Sequence, residues 1–265
     1  MLIKRYNYFL FDIDRTIWDF DTNANKAMSK LIVEYELDKE LGIEDTDEFY
    51  EKYDIVNKLW WDKYEAGEIS KEHLRRVRFY ETFKLYNTCN RCSDERLQEL
   101  SLTFSEKYLD YMISEKTLIP GAKMVLKALK KEGAYIGVLS NGFKEVQYHK
   151  INNSGIGGFF SGIIISEEVG RHKPHPQIYK IAIKTLLESE LKDKGIKREI
   201  TDADIKRAKE STLMVGDDFE KDIEGAQIYG IDQYYFNPKK RPCFGGPTYE
   251  SDNLTNILDI VTGNI

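Results

Sequence analysis

From Pro120-Gly121 onward the chain alternates helix-like and strand-like segments, and several of the strand-like ones run straight into polar groups. Tyr135 to Leu139 leads into Ser140-Asn141-Gly142, and Thr212 to Val215 leads into Gly216-Asp217-Asp218. Gly162 to Ile165 and Ile231 to Phe236 read as further strands, the second as the last of the chain. Helices are expected over 122–131, after Gly142, and over 177–187. An earlier apolar strand, 6–12, also ends on a carboxylate, Asp12. Strands separated by helices pair in parallel, so the pattern predicts an α/β fold with a Rossmann-like parallel sheet covered on both faces. Ligands of such sheets collect beyond the carboxyl ends of the strands. Asp12, Asp14 and Thr16, then Ser140-Asn141-Gly142, Lys173, and Asp217, Asp218 and Asp222 are therefore expected on one rim.

The rhythm differs between Asn23 and about Lys116, where long, aromatic-rich helical stretches replace strands. Leu31, Val33, Tyr35 and Leu37 are assigned to the first helix, and Val56, Leu59, Trp60 and Tyr64 form an apolar stripe on the second. Gly67 breaks the run, and Ser70 with His73 resembles a helix start. Helices over 74–86 and 95–113 complete a four-helix insert. Residues 1–18 and 117–265 are thus expected to form the core domain, with 19–116 inserted into it. The charge-rich stretch 188–211 is too long for a simple connection and predicts a surface helical excursion. Of Trp60 and Trp61, one is expected in the core at helical spacing, and either is a candidate to touch substrate.

Composition narrows the function. A formal net charge of -6 over 265 residues argues against a broad basic face for a nucleic acid polymer. No apolar run reaches the roughly 20 residues of a membrane helix, and Met1 to Tyr6 shows no leader-peptide pattern. A cytoplasmic location is the expectation. Cys89 and Cys92 form a C-x-x-C without the second ligand pair of a zinc site, and read as part of a polar loop, Asn87 to Ser93.

The rim residues make consistent chemistry. Carboxylates crowded into one crevice repel each other unless a cation joins them. Magnesium prefers oxygen ligands, commonly one or two carboxylates together with substrate phosphate. Lys173 supplies a compact positive charge and Ser140 a hydroxyl. The N–H groups of Asn141 and Gly142 are expected to open a helix, a natural anion site. Acids for a metal beside donors for a phosphate describe phosphoryl transfer. His172 and His175, interleaved with Pro174 and Pro176, are read as shaping a loop rather than holding a metal.

These residues also carry a family resemblance. Phe9-Leu-Phe-Asp12-Ile-Asp14-Arg15-Thr16 resembles the first motif of the haloacid dehalogenase-like hydrolase superfamily, D-x-D-x-T after a hydrophobic strand. Val138-Leu139-Ser140-Asn141-Gly142 is similar to the second motif, Lys173 in Gly-Arg-His-Lys-Pro-His-Pro to the third, and Val215-Gly216-Asp217-Asp218-Phe219-Glu220-Lys221-Asp222 to the fourth. The motifs span the chain in the family's order. The resemblance implies that Asp12 attacks phosphorus and that Asp14 protonates the leaving oxygen, then activates water. It implies that Asp217, Asp12 and the backbone carbonyl of Asp14 hold Mg2+. It places Ser140, Asn141, Gly142 and Lys173 on the phosphate. Thr16 would orient the nucleophile loop, and Asp222, with Asp218 as its rival, would fix Lys173 or a metal-bound water. Arg15 departs from the glycine frequent in the family, at a place that seldom matters to the chemistry.

Asp14 separates phosphate ester hydrolysis from dehalogenation, because an alkoxide needs a proton and a halide does not. The insert matches the helical cap of the superfamily's first class. Thr16-Ile17-Trp18-Asp19-Phe20 and Tyr64-Glu65-Ala66-Gly67-Glu68-Ile69-Ser70 with Arg78-Phe79 look like the pyrimidine 5′-nucleotidase branch. The expected partner is a small phosphorylated metabolite, a nucleoside monophosphate. A phosphoglycolate or other small-metabolite phosphatase is the rival; a phosphosugar mutase, a 2-haloacid dehalogenase and a phosphate-binding protein without turnover stand further off.

Overall fold

The computed structural model describes residues 6–243 and 245–262; Met1 to Arg5, on which the leader-peptide expectation rests, lie outside them. The chain divides into two compact units, Met1–Asp19 with Lys116–Ile265, and Phe20–Glu115.

The first unit is built on a six-stranded, wholly parallel sheet. Its strands are β1 (Tyr8–Phe11), β2 (Tyr135–Ser140), β3 (Gly162–Ile165), β4 (Thr212–Gly216), β5 (Asp232–Phe236) and β6 (Tyr249–Ser251), in the order β3-β2-β1-β4-β5-β6. β1 reads as a continuous apolar run because it is central and buried on both faces. Phe11 lies opposite Val138 on one side and Val215 on the other. Asp12 therefore leaves the sheet level with Leu139 and Gly216, about 3.3 Å short of Ser140 and Asp217. That register brings three separate sequence stretches to one rim.

Helices α6 (Ala122–Lys131), α7 (Lys144–Asn153), α8 (Ser166–Val169), α9 (Pro176–Asp193), α10 (Asp202–Lys209), α11 (Gly225–Tyr229) and α12 (Ile257–Thr262) complete this unit. One face of the sheet, with Tyr8, Leu10, Leu139 and Met214, packs on Ile178, Tyr179, Ala182, Ile183 and Leu186 of α9. Pro176 begins α9 with a fixed φ, and His175 Nδ1 caps it by accepting the Gln177 N–H at 3.1 Å. His175 thus shapes its loop, as read from the sequence.

Two expectations fail here. Phe236 does not end the last strand, because the short edge strand β6 pairs beyond it. Three residues with a charged centre, Tyr249-Glu250-Ser251, give too little periodicity to be read as a strand. The stretch 188–211 is also not a surface excursion throughout. α9 runs on to Asp193, and α10 buries Ile205 and Ala208 in the core. A capping box between Thr201 and Asp204 starts α10, and Arg198 grips both Asp204 oxygens at 2.6 and 2.9 Å.

The second unit is helical: α1 (Phe20–Glu34), the single turn α2 (Leu37–Glu40), α3 (Thr46–Glu65), α4 (Lys71–Tyr86) and α5 (Asp94–Ser114). Ser70 caps α4 by accepting the His73 N–H at 3.2 Å. The core of the unit is aromatic. Phe79 lies 4.9 Å from Tyr53, 4.9 Å from Phe104 and 5.2 Å from Tyr108, ring centre to ring centre. Arg78 is buried beside these rings, with Nη1 donating to Asn57 Oδ1 at 3.0 Å.

The expected stripes need correction. Leu31, Val33, Tyr35 and Leu37 have period two, so on a helix Val33 turns away from Leu31 and is exposed. α1 ends at Glu34, and Leu37 belongs to the next turn. On α3 the buried residues are Phe49, Tyr53 and Asn57, while Trp60 and Tyr64 continue that face only half-buried and Leu59 is exposed. Neither Trp60 nor Trp61 is in the core; each meets one ring edge-on, His73 and Tyr64 respectively. The Asn87 side chain organises the cysteine loop, bonding the Cys92 N–H and C=O at 3.0 and 2.9 Å.

Phe79→Ala should lower stability by about 3–5 kcal/mol, as loss of a buried aromatic does. Val33→Ala should stay within about 0.5 kcal/mol, as expected of an exposed site. Urea unfolding of the two variants checks the assignment of this core.

Candidate active site

Asp12 is the first residue past β1, and its N–H still donates to the Val215 carbonyl of β4 at 2.9 Å. The chain then folds back at once. The N–H groups of Ile17 and Trp18 both reach the Ile13 carbonyl, at 2.9 and 2.8 Å, and Arg15 N–H reaches the Trp18 carbonyl at 2.9 Å. Arg15 takes a left-handed φ of 62°, a conformation that suits glycine and costs a residue with a Cβ about 1–2 kcal/mol. This tight loop leaves the Asp12 carboxylate buried and that of Asp14 partly exposed, two residues on.

Lys173 is 3% exposed, and its ammonium bonds Asp12 Oδ1 at 2.7 Å and Asp222 Oδ1 at 2.6 Å. Its backbone is clamped by Asn141, whose Oδ1 accepts the Lys173 N–H at 2.8 Å and whose Nδ2 donates to the Lys173 carbonyl at 2.9 Å. The side chain of Asn141 thus holds the lysine. The helix expected to open on Asn141 and Gly142 starts later, at Lys144 with Phe143 as its cap, because the turn after β2 is longer. The Gly142 N–H donates instead to Ser140 Oγ at 3.1 Å.

Asp222 comes from a π-helical turn, Phe219–Glu224. Its carboxylate folds over the end of β4, where a Cβ on Gly216 would lie 2.2 Å from Asp222 Oδ2. Glycine is required there by that close approach. Asp218 acts on the backbone instead. Its carboxylate caps the turn by accepting the Lys221 N–H at 3.0 Å, and its own N–H donates to Asp222 Oδ2 at 3.1 Å. Of the two rivals, Asp222 is the one bonded to Lys173. Thr16, fully buried, has Oγ1 3.5 Å from Asp217 Oδ1.

Two residues of this rim had no sequence forecast. Lys150 Nζ lies 2.6 Å from Asp14 Oδ1, and Gln147 Nε2 donates to Asp14 Oδ2 at 2.9 Å and to Ser140 Oγ at 2.7 Å. They stand three apart on α7, on one face. The available signal was a helix face on which long polar residues alternate with Val146 and Ile151. A reading of apolar stripes alone passes over it.

Ser140 Oγ receives two hydrogen bonds, from Gly142 N–H and Gln147 Nε2, so its lone pairs are engaged and its own proton is left to donate. Burial pushes the Asp12 carboxyl up, against the pull of Lys173 and with the help of the Asp14 charge. Burial, then the charges of Asp12 and Asp222, push Asp217 well above the carboxylate range. Asp222 is pushed up to about 7, burial again leading and Lys173 opposing. Burial alone would lower Lys173, but Asp12 and Asp222 together outweigh it and keep the ammonium charged.

One ammonium facing three carboxylates leaves an excess of negative charge. Asp12, Asp217 and Asp222 each present an oxygen within 4.8 Å of the others'. Asp222 is already engaged by Lys173 and the Asp218 N–H, so Asp12 and Asp217 are the pair best fitted to a hard dication. The donor set, all carboxylate oxygen, fits magnesium.

These shifts set the sign of the pH effect. Carboxyls raised in the folded state bind more protons than in the unfolded chain between about pH 4 and 7. Metal-free protein should therefore lose stability as pH rises through that window, by up to about 1.4 kcal/mol per unit for each such group. Magnesium should raise the melting temperature more at about pH 7.5 than at about pH 5. Thermal unfolding with chelator or with magnesium at both pH values measures it.

The model of the haloacid dehalogenase-like hydrolases matches residues 6–230. The chain is 28% identical to the pyrimidine 5′-nucleotidase PynA of Streptococcus pneumoniae, over 98% of this chain and 97% of that one. It is 27% identical to the pyrimidine 5′-nucleotidase YjjG of Escherichia coli, over 97% and 98%. Among solved structures it resembles the Bacillus subtilis HAD-hydrolase YfnB, bound to magnesium, with a TM-score of 0.73, 25% identity and coverage of 98% and 100%. With the α/β core, the ordered motifs and these matches, the chain belongs to the haloacid dehalogenase-like hydrolase family.

Proposed function

We propose that the protein is a magnesium-dependent phosphomonoester hydrolase that works through an aspartyl-phosphate on Asp12, with pyrimidine nucleoside monophosphates as substrates. The observation that carries the reading is the Asp12 carboxylate bonded to Lys173 and grouped with Asp217, while a second carboxylate, Asp14, stands two residues on. A binding protein has no use for that second acid. The substrate class rests on the full-length likeness to PynA and YjjG.

In this reading Lys173 and the Ser140 proton bind phosphate oxygens. One Asp12 oxygen attacks phosphorus in line as the bond to the leaving oxygen breaks, and Asp14 gives that oxygen its proton. Asp14, now ionised, takes a proton from the water that cleaves the acyl-phosphate, which restores both carboxyls and releases inorganic phosphate. Asp12, Asp217 and the Asp14 backbone carbonyl would hold magnesium, which when bound would supply positive charge to the transferring group. Asp222 keeps Lys173 in place, and Thr16 steadies the loop through Asp217. The helical unit, as cap domain, selects the substrate. Among the described residues no helix is long and apolar enough to cross a membrane, and all three cysteines are free; we place the enzyme in the cytoplasm.

Asp12→Asn should abolish phosphate release, a loss above about 1000-fold, with an unchanged melting transition. Chelation of magnesium should abolish it reversibly. Phosphate release from a panel of monoesters tests the substrate: uridylate and thymidylate should lead, and faster turnover of phosphoglycolate or sugar phosphates would overturn the nucleotidase assignment. Beryllofluoride bound anywhere but Asp12 would show the nucleophile to be misassigned.

A further inference from the structure

Lys150 is 2% exposed, yet it carries a charge into the rim from the middle of a short helix. Burying an ammonium is unfavourable unless a partner compensates, and an apolar residue would fill the same space more stably. Its ion-pair partner is Asp14, at 2.6 Å, and the Trp18 ring lies beneath the ammonium at 4.5 Å. Trp18 is itself fully buried, so the ammonium is held against a fixed surface.

Gln147 is placed with similar economy. A carboxylate only accepts, so the amide nitrogen must face Asp14. With Nε2 there, Gln147 Oε1 stays buried without a partner among the described residues. The side chain gives up one hydrogen bond to keep another, which a purely structural glutamine would not do. Space is reserved for it as well: a Cβ on Gly142 would lie 2.3 Å from Gln147 Nε2. The result is that each Asp14 oxygen has its own fixed donor, and one of those donors is shared with the hydroxyl of Ser140.

We propose that Lys150 and Gln147 are positioning residues for Asp14: they fix both oxygens of its carboxyl group relative to the Ser140 hydroxyl, and so aim toward the leaving oxygen the proton that the group carries when the substrate, a phosphate monoester entering with its own proton, is bound. The inference rests on the phosphatase reading above and assigns no bond-making to either residue.

The test uses leaving groups. An aryl phosphate such as p-nitrophenyl phosphate expels a stable anion that needs little protonation, whereas an alkyl phosphate needs the aimed acid. In the intact enzyme with magnesium, Lys150→Met should lower kcat for an alkyl phosphate about 100-fold, the lower end of what general acid catalysis supplies. It should lower kcat for the aryl ester less than about threefold, and Lys150→Arg should restore much of the alkyl activity. Gln147→Met should show the same selective loss, about 10-fold, and carries the test if Lys150→Met does not fold. Equal losses on both esters, or no loss on either, would overturn the proposal while leaving the phosphatase reading intact, provided the unmodified enzyme turns both over. If the unmodified enzyme hydrolyses neither ester, the phosphatase reading falls and takes this inference with it.

Discussion

The buried ammonium of Lys173 joins the metal-ligand-like acids of the rim by bonding two buried carboxylates, Asp12 and Asp222, that would otherwise repel each other. Asp12 arrives from the central strand, Asp222 from a turn after β4, and Lys173 from the loop before α9. Such an arrangement is poor stability design, since desolvation of three charges offsets much of their attraction. It persists because the sheet below it is well supplied with apolar burial, β1 being covered on both faces. Three further residues serve that ion triad. Asn141 clamps the lysine backbone, Gly216 leaves room for Asp222, and Asp218 caps the turn that presents it.

Around this triad the rim is polarised. On one side Asp12 and Asp217 crowd together with more negative charge than Lys173 cancels, the condition under which an oxygen-seeking dication binds. On the other side stands a serine whose lone pairs are engaged and whose proton is left to donate. Asp14 stands apart from the first group, tied to α7 rather than to Asp12 and Asp217. The two carboxylates of the first motif are thus separated by environment, which is how neighbouring acids come to play different parts.

The helical unit solves a different problem. Its core is a cluster of stacked and edge-on rings, which gives α3, α4 and α5 a stable interior without any sheet. Burial fades toward the end of α3, where Trp60, Trp61 and Tyr64 are only half-buried.

The sequence alone determined the α/β class, the five longer strands and the rim on which Asp12, Ser140, Lys173 and Asp217 meet. These are legible because apolar runs set strands, and a parallel sheet sends all its carboxyl ends one way. The same reasoning missed β6, which is too short to show a period, and misplaced the start of α7, since a turn's length is set by what its ends must reach. It chose the wrong residues on α3 because a helical stripe marks a face but not how far along it a partner extends. Only the tertiary structure decided that Asn141 serves the lysine, that Asp222 rather than Asp218 pairs with it, and that Lys150 and Gln147 hold Asp14. Each of those is a contact across many residues of chain. Its energy depends on distance and burial, which residue order does not encode locally.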